Sequence, residues 1–194
     1  LNYLTNNTTN TSLGKKILAT NIILESFGNA KTIRNHNSSR FGKFIHIYYN
    51  NNNIVGAQVK TYLLETIRLT HHADKERNYH IFYYLFPNYK EFRYLDHNSM
   101  NDKYLNDKKS FELLKDGFKQ IGIKNDIIEQ IFNTIKIIVY LGEFPNYANK
   151  VSEYFNMKEE EYIFMMGNQK IQVNGEDIFK KLSDEQVKVR RFSC

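Results

Sequence analysis

The sequence predicts an α/β fold that is mainly helical and carries one long β-hairpin. Three observations lead there. Apolar residues recur at helical spacing over residues 15–27, 108–121 and 125–142. β-Branched and aromatic residues with partial alternation fill residues 41–49 and 54–64, on either side of four consecutive asparagines. The length, 194 residues, suits one domain with a buried core.

Taken in order, residues 5–14 are small, polar and without period, which predicts a loop. Residues 15–27 follow as a helix, with Ile17, Leu18, Asn21, Ile22, Leu24 and Glu25 at mixed but helical spacing. Asn50-Asn51-Asn52-Asn53 reads as the turn between strands 41–49 and 54–64. Residues 76–86 predict a helix stopped by Pro87. Two amphipathic helices come next. The second is strongly apolar, with Ile127, Ile128, Ile131, Phe132, Ile135, Ile138 and Val139 read as core and Asp126, Glu129 and Lys136 as solvated charges. The last third breaks into a helix over residues 159–166, a strand from Lys170 to Val173, a tight Asn174-Gly175 turn and a returning strand, Glu176 to Lys181. No internal repeat or linker divides the chain.

Composition excludes several classes. The formal charge is +6, yet the basic residues are scattered and form no stripe interleaved with aromatics, as a nucleic-acid surface requires. The excess of Lys, Asn, Ile and Tyr reads as a compositional bias instead. No apolar run is long enough to span a membrane. The single Cys194 excludes an internal disulfide, and the Asn7 and Asn37 sequons read as chance. His71-His72 lacks a third ligand at metal-binding spacing.

Chemistry concentrates in residues 28–44. Two asparagines, two adjacent hydroxyls and an arginine precede a β pattern: Asn35-His36-Asn37-Ser38-Ser39-Arg40-Phe41-Gly42-Lys43-Phe44. Asparagine amides can donate to phosphate oxygens, one serine hydroxyl can ligate Mg²⁺ and another can orient an attacking water. Arg40 can stabilise charge or latch the loop to an acidic partner. The same residues also suit turn caps and a surface ion pair. Glu65, polar at the end of an apolar strand, reads as a paired carboxylate supporting the site.

This stretch resembles switch I of the myosin motor. Leu24-Glu25-Ser26-Phe27-Gly28-Asn29-Ala30-Lys31-Thr32 resembles that family's approach to the loop. Tyr62-Leu63-Leu64-Glu65 and Glu76-Arg77-Asn78-Tyr79-His80-Ile81-Phe82-Tyr83 are similar to a second block in the right order, and a weaker likeness extends to Gln186. The resemblance implies a P-loop NTPase-type motor fold whose central twisted sheet includes the hairpin. It implies ATP and Mg as cofactors, with Asn35, Ser38 and Ser39 contacting nucleotide, Ser39 ligating Mg, and Ser38 and Arg40 serving catalysis. Arg40 would close the site on a glutamate of switch II. His36 falls where the family more often has Asp or Asn, and Ile22 or Ile23 where it often has proline, so the helix is expected to run more smoothly here.

The resemblance further implies actin filaments as partner, through a hairpin loop with Lys170, Glu176, Lys180 and Lys181, and a cytoplasmic, cytoskeletal location. Glu176 matches a position that is acidic or phosphorylatable in the family, which would make actin contact constitutive. Light chains would join through segments outside this chain. The expected layout is the end of the P-loop helix and a surface loop over residues 1–16, switch I and the sheet hairpin over 17–64, and upper 50K helices with the actin-contact loop over 65–194. No Gly-x-x-x-x-Gly-Lys-Ser/Thr phrase and no switch II Asp-x-x-Gly-x-Glu phrase occurs, and the chain opens on Leu1. The expectation is therefore a fragment of an actin-activated ATPase, inactive alone. A truncated or degenerate actin-interaction scaffold without ATPase activity is the alternative. The ending, residues 189–194, departs from the helix the family has there.

Overall fold

A computed structural model describes residues 11–51, 53–95 and 104–190. The expectations for residues 1–10 and 191–194, Cys194 included, lie outside them. The fold is α/β and mainly helical, with three small antiparallel sheets of two strands each among the described residues.

Helix α1 spans Thr11–Gly28, so Thr11 to Gly14 are helical where the sequence predicted loop. Burial of Ile17 and Ala19 anchors the helix, and the small polar residues before them extend it. It continues unbroken through Ile22 and Ile23. Two-residue strands β1 (Asn29–Ala30) and β2 (Ser38–Ser39) then pair, Asn29 with Ser39 and Ala30 with Ser38.

The hairpin is formed by β3 (Gly42–Asn50) and β4 (Asn53–Tyr62). It is tighter at its tip and shorter at its base than predicted. Asn50 pairs with Asn53 and so belongs to the strands, not the turn. Leu63 leaves the ladder at positive φ and is 94% exposed, because the chain must turn there to bring Glu65 back beside Arg40. A bulge between Tyr48 and Tyr49 adds Val55 to β4. Along β3, Lys43, Ile45 and Ile47 face inward and Phe44, His46 and Tyr48 face out, as the period of two requires.

A 3₁₀ turn, Thr66–Leu69, precedes helix α2, His80–Leu85. The predicted helix over residues 76–86 is thus cut to its second half. Residues 76–79 have other commitments: Arg77 N–H donates to Lys31 O at 3.0 Å, and Tyr79 forms a β-bridge with Ala30. Tertiary bonds outweigh helical periodicity there. The helix stops before Pro87 as expected.

Helices α3 (Asp107–Ile121) and α4 (Asn125–Gly142) match the sequence reading. Asn106 caps α3 by accepting from Lys109 N–H at 2.9 Å, and Gly122 closes it with φ +87°. Gly117 of α3 lets α1 lie close, since a Cβ there would meet Ile23 at 3.4 Å and the Ala19 carbonyl at 3.5 Å. Of the α4 residues read as core, Ile127 is instead exposed, since one residue step turns it about 100° away from the buried Ile128 face. Helices α5 (Ala148–Tyr154) and α6 (Glu159–Gly167), strands β5 (Asn168–Val173) and β6 (Glu176–Lys181), and helix α7 (Asp184–Arg190) complete the fold. Neither α5 nor α7 was predicted. For α7 the signal was Ser183-x-x-Gln186: Gln186 N–H donates to Ser183 Oγ at 3.3 Å and Ser183 N–H to Gln186 Oε1 at 3.0 Å. Val189 and Arg190 are therefore helical, against the expectation for the ending.

Two apolar clusters hold these pieces. The larger packs α2 (Ile81, Phe82, Tyr83) against Leu114 and Phe118 of α3 and Val139 of α4. The smaller joins Ile137 and Phe144 to Val151, Tyr162, Met166 and Val187. The first cluster meets the 28–40 loop through Tyr79, which bridges to Ala30.

Candidate functional site

The loop between β1 and β2 is fixed by its own polar residues. Thr32 N–H donates to Asn35 O at 2.8 Å, Asn35 N–H to Thr32 Oγ1 at 3.1 Å, and Asn37 N–H to Asn35 Oδ1 at 2.9 Å. Asn35 is exposed and its side chain acts here as a turn former. His36 is exposed too, its ring 4.6 Å from that of Tyr104.

Alternation along β2 separates the two serines. Ser38 shares a face with Arg40, whose Nη1 donates to Ser38 Oγ at 3.2 Å. Ser39 is exposed on the other face and its hydroxyl donates to Phe41 O at 2.7 Å. Each serine oxygen keeps a lone pair, and Ser38 keeps its own hydrogen.

Arg40 is the most heavily engaged of these residues. Its Nε donates to Glu65 Oε2 at 2.5 Å, and the Glu65 N–H donates to Arg40 O at 2.9 Å. Glu65 also accepts from Arg68 Nε at 2.7 Å. The hydrogen bond from Arg40, helped by Arg68 and opposed by burial, holds the Glu65 carboxyl at about 2. The Arg40 guanidinium is shifted upward in turn, first by that same hydrogen bond. Arg68, 3% exposed, donates onward to Glu76 and to Arg77 O, and Tyr79 Oη donates to Glu65 O at 2.6 Å. Glu65 is thus the paired carboxylate that its position suggested. The partner of Arg40 in this chain is Glu65.

Behind the loop lies a cavity of about 300 Å³, lined by Glu25 and Ser26 of α1, His36 and Asn37 of the loop, His80 and Tyr84 of α2, and Asp107 and Ser110 of α3, among others. Across its rim, Asn37 meets Asn29, Glu25 and His80. Sequence reasoning passed over His80 and Asn29 as functional residues. The available signal was a histidine set between Tyr79 and Ile81 in an otherwise apolar run.

The other predicted residues sit on the β5–β6 hairpin. Asn174 and Gly175 both have positive φ, the turn their sequence favours. Lys170, Glu176, Lys180 and Lys181 are all exposed, and Lys170 Nζ lies 2.7 Å from Asp177 Oδ2. Among the described residues no cluster of His, Cys, Asp or Glu could hold a metal, and no helix is long and apolar enough to cross a membrane. A single hard ligand for Mg²⁺ is nevertheless on offer. The Ser39 hydroxyl is exposed and bonded only through its hydrogen, and a hydroxyl oxygen suits an ion that otherwise takes water and phosphate.

Residues 2–193 match the family model described as "Myosin head (motor domain)". Myosin-52 of Schizosaccharomyces pombe is 37% identical over an alignment of 213 positions that takes in 94% of this chain and 14% of that protein. Myosin type-2 heavy chain 2 of the same yeast is 45% identical over 145 positions, 67% of this chain and 7% of that protein. Unconventional myosin-Vb of Mus musculus is 41% identical over 147 positions, 68% of this chain and 8% of that protein. The chain spans at most 14% of the length of these curated relatives.

Proposed function

The chain belongs to the myosin head (motor domain) family, and from that premise we propose that it forms one wall of the Mg·ATP site of an actin-based motor. The observation that carries the reading is the pairing of Ser38-Ser39 with Asn29-Ala30 beside the Arg40–Glu65 ion pair, which holds two hydroxyls and a guanidinium in fixed relation.

Asn35 and Ser38 bind phosphate oxygens of the nucleotide, and Ser39 gives its oxygen to the metal. When bound, Mg²⁺ offsets the charge of the polyphosphate. Ser38 accepts from Arg40 and so directs its own hydrogen outward, toward the terminal phosphate or the attacking water. Two of the five N–H donors of Arg40 are used by Glu65 and Ser38. The rest serve a carboxylate or developing negative charge on the other side of the cleft. Phosphoryl transfer asks for this kind of positioning more than for covalent help. Lys170, Glu176, Lys180 and Lys181 contact actin. Residues 1–194 alone do not turn over ATP, because the phosphate cradle and its lysine must come from elsewhere in the motor.

The test uses the complete motor that carries this chain. Ser39→Ala is expected to weaken Mg·nucleotide binding, and Ser38→Ala to slow ATP cleavage by roughly 10²-fold, the usual effect of losing one transition-state contact. Unchanged binding and turnover in both variants would overturn this placing of the nucleotide site, whereas absence of any nucleotide binding or turnover in the parent motor would favour an actin-interaction scaffold. Clear ATP turnover by residues 1–194 alone would overturn the division of the site.

A further inference from the structure

The loop that presents Ser38 and Ser39 is held from behind through one side chain, Asn37. Its Oδ1 accepts from Asn29 Nδ2 at 2.9 Å and lies 3.2 Å from His80 Nε2, while its Nδ2 donates to Glu25 Oε2 at 3.4 Å. The three partners come from three elements: α1, β1 and α2. Asn37 is exposed, whereas His80 and Asn29 are 4% and 3% exposed beneath it. The amide orientation is determined, since one end meets a carboxylate and the other an amide N–H.

That orientation also fixes the imidazole. Asn37 Oδ1 can only accept, so the contact with His80 is a hydrogen bond when Nε2 carries the hydrogen. The ring lies parallel to that of Tyr84, with planes 5° apart and centroids 6.2 Å apart. The groups around it are Arg77, Tyr84, Asn37 and, through Asn37, Glu25. Burial, aided by the positive charge of Arg77, keeps His80 neutral with its pKa near 4. His80 Nδ1 is buried without a partner. An apolar residue would fill this place on α2 at lower cost, as Ile81 and Phe82 do beside it.

We propose that His80 is a positioning residue of the nucleotide loop, its Nε2–H clamping Asn37 and thereby setting Ser38-Ser39 in register against Asn29-Ala30. This rests on the reading of Ser38 and Ser39 as nucleotide residues. The 300 Å³ cavity behind the loop is where Asn37 swings when the clamp is lost. His80 touches no substrate and acts through Asn37 alone.

The experiment compares His80→Phe, His80→Gln and Asn37→Ala in the complete motor. Mg·ADP affinity and single-turnover ATP cleavage are measured, with nucleotide-free actin binding and the melting midpoint as controls for folding. His80→Phe fills the volume without a donor and is expected to weaken nucleotide affinity or slow cleavage about tenfold, the worth of one buried hydrogen bond. His80→Gln returns an N–H to the Nε2 position and is expected to restore most of the loss. Asn37→Ala, a surface change, should reproduce the defect, and the double variant with His80→Phe should be no worse than either single. Nucleotide affinity and cleavage unaltered in both His80→Phe and Asn37→Ala, with Ser39→Ala still weakening binding, would overturn the clamp alone. If Ser39→Ala also leaves Mg·nucleotide binding intact, the nucleotide reading fails and the clamp with it.

Discussion

Arg68 and Glu76 are joined twice, both Nη1 and Nη2 of the arginine donating to Oε2 of the glutamate at 3.1 Å. Arg68 is buried, and it also serves Glu65, so a single guanidinium bridges two carboxylates beneath the loop while Arg40 supplies the second positive charge.

Removing it should be costly. Arg68→Ala leaves Glu76 without its cation and Glu65 with Arg40 alone, and a loss of about 2–3 kcal/mol is expected, the scale of losing charged hydrogen bonds at partly buried carboxylates. Arg68→Lys should recover only part, because an ammonium cannot span both carboxylates as the planar fork does. Thermal and urea unfolding of the motor carrying each variant measures this. A midpoint unaltered by Arg68→Ala would show that the network is ornamental.

Gly28 offers a second test. A Cβ on it would stand 2.4 Å from the Phe41 ring, and its carbonyl accepts from Arg40 N–H at 2.9 Å. Gly28→Ala is expected to push Phe41 away and cost about 1–3 kcal/mol through overpacking. Because the clash is with one side chain, Phe41→Ala should cancel most of the added cost. The double variant, measured by unfolding, should therefore be more stable than the sum of the singles.

Acid should act on this region in two windows. His80 has its pKa pushed down from 6.5 to about 4, by burial first and by Arg77 second. The unfolded chain binds a proton that the folded one refuses, so the stability from neutral His80 is complete above 6.5 and is lost as the pH falls toward 4. Glu65 is lowered from 4.5 to about 2, chiefly by Arg40. Its contribution is complete above 4.5 and is lost as the pH falls toward 2. Unfolding free energy measured against pH should decline through both ranges. His80→Gln should flatten the upper range alone, and Glu65→Gln the lower.

On the β5–β6 hairpin, Glu176→Ala is expected to weaken actin binding about fivefold in the complete motor, the scale of one exposed charge pair. Stability should barely change, since Glu176 is exposed. Cosedimentation with filaments reads the affinity, and an unaltered value removes Glu176 from the contact.

Much of this was legible in the sequence because it is local. The β3–β4 and β5–β6 hairpins follow from alternation and asparagine- or glycine-bearing turns, and α3 and α4 from apolar period. Glu65 announced itself as a carboxylate at the end of an apolar strand. What was hidden depends on partners distant in sequence. The start of α2 is lost because Arg77 and Tyr79 bond to Lys31 and Ala30, more than forty residues earlier. His80 gains its role only when Asn37 is folded over it, and Arg68 only when Glu76 returns to it.

The base of the long hairpin has a mechanical consequence. Arg40 and Glu65 close it twice, once through backbone and once through charge, where β3 and β4 begin and end. From there β3 runs nine residues to its tip, and at about 3.3 Å per residue that is roughly 30 Å. A ribbon of that length is a pointer with its fulcrum at the ion pair. A rotation of about 5° at the fulcrum carries the far end through roughly 3 Å, by simple lever arithmetic on that rise. An angular change at two serines and an arginine would, by that arithmetic, carry the far end through about the width of an atom.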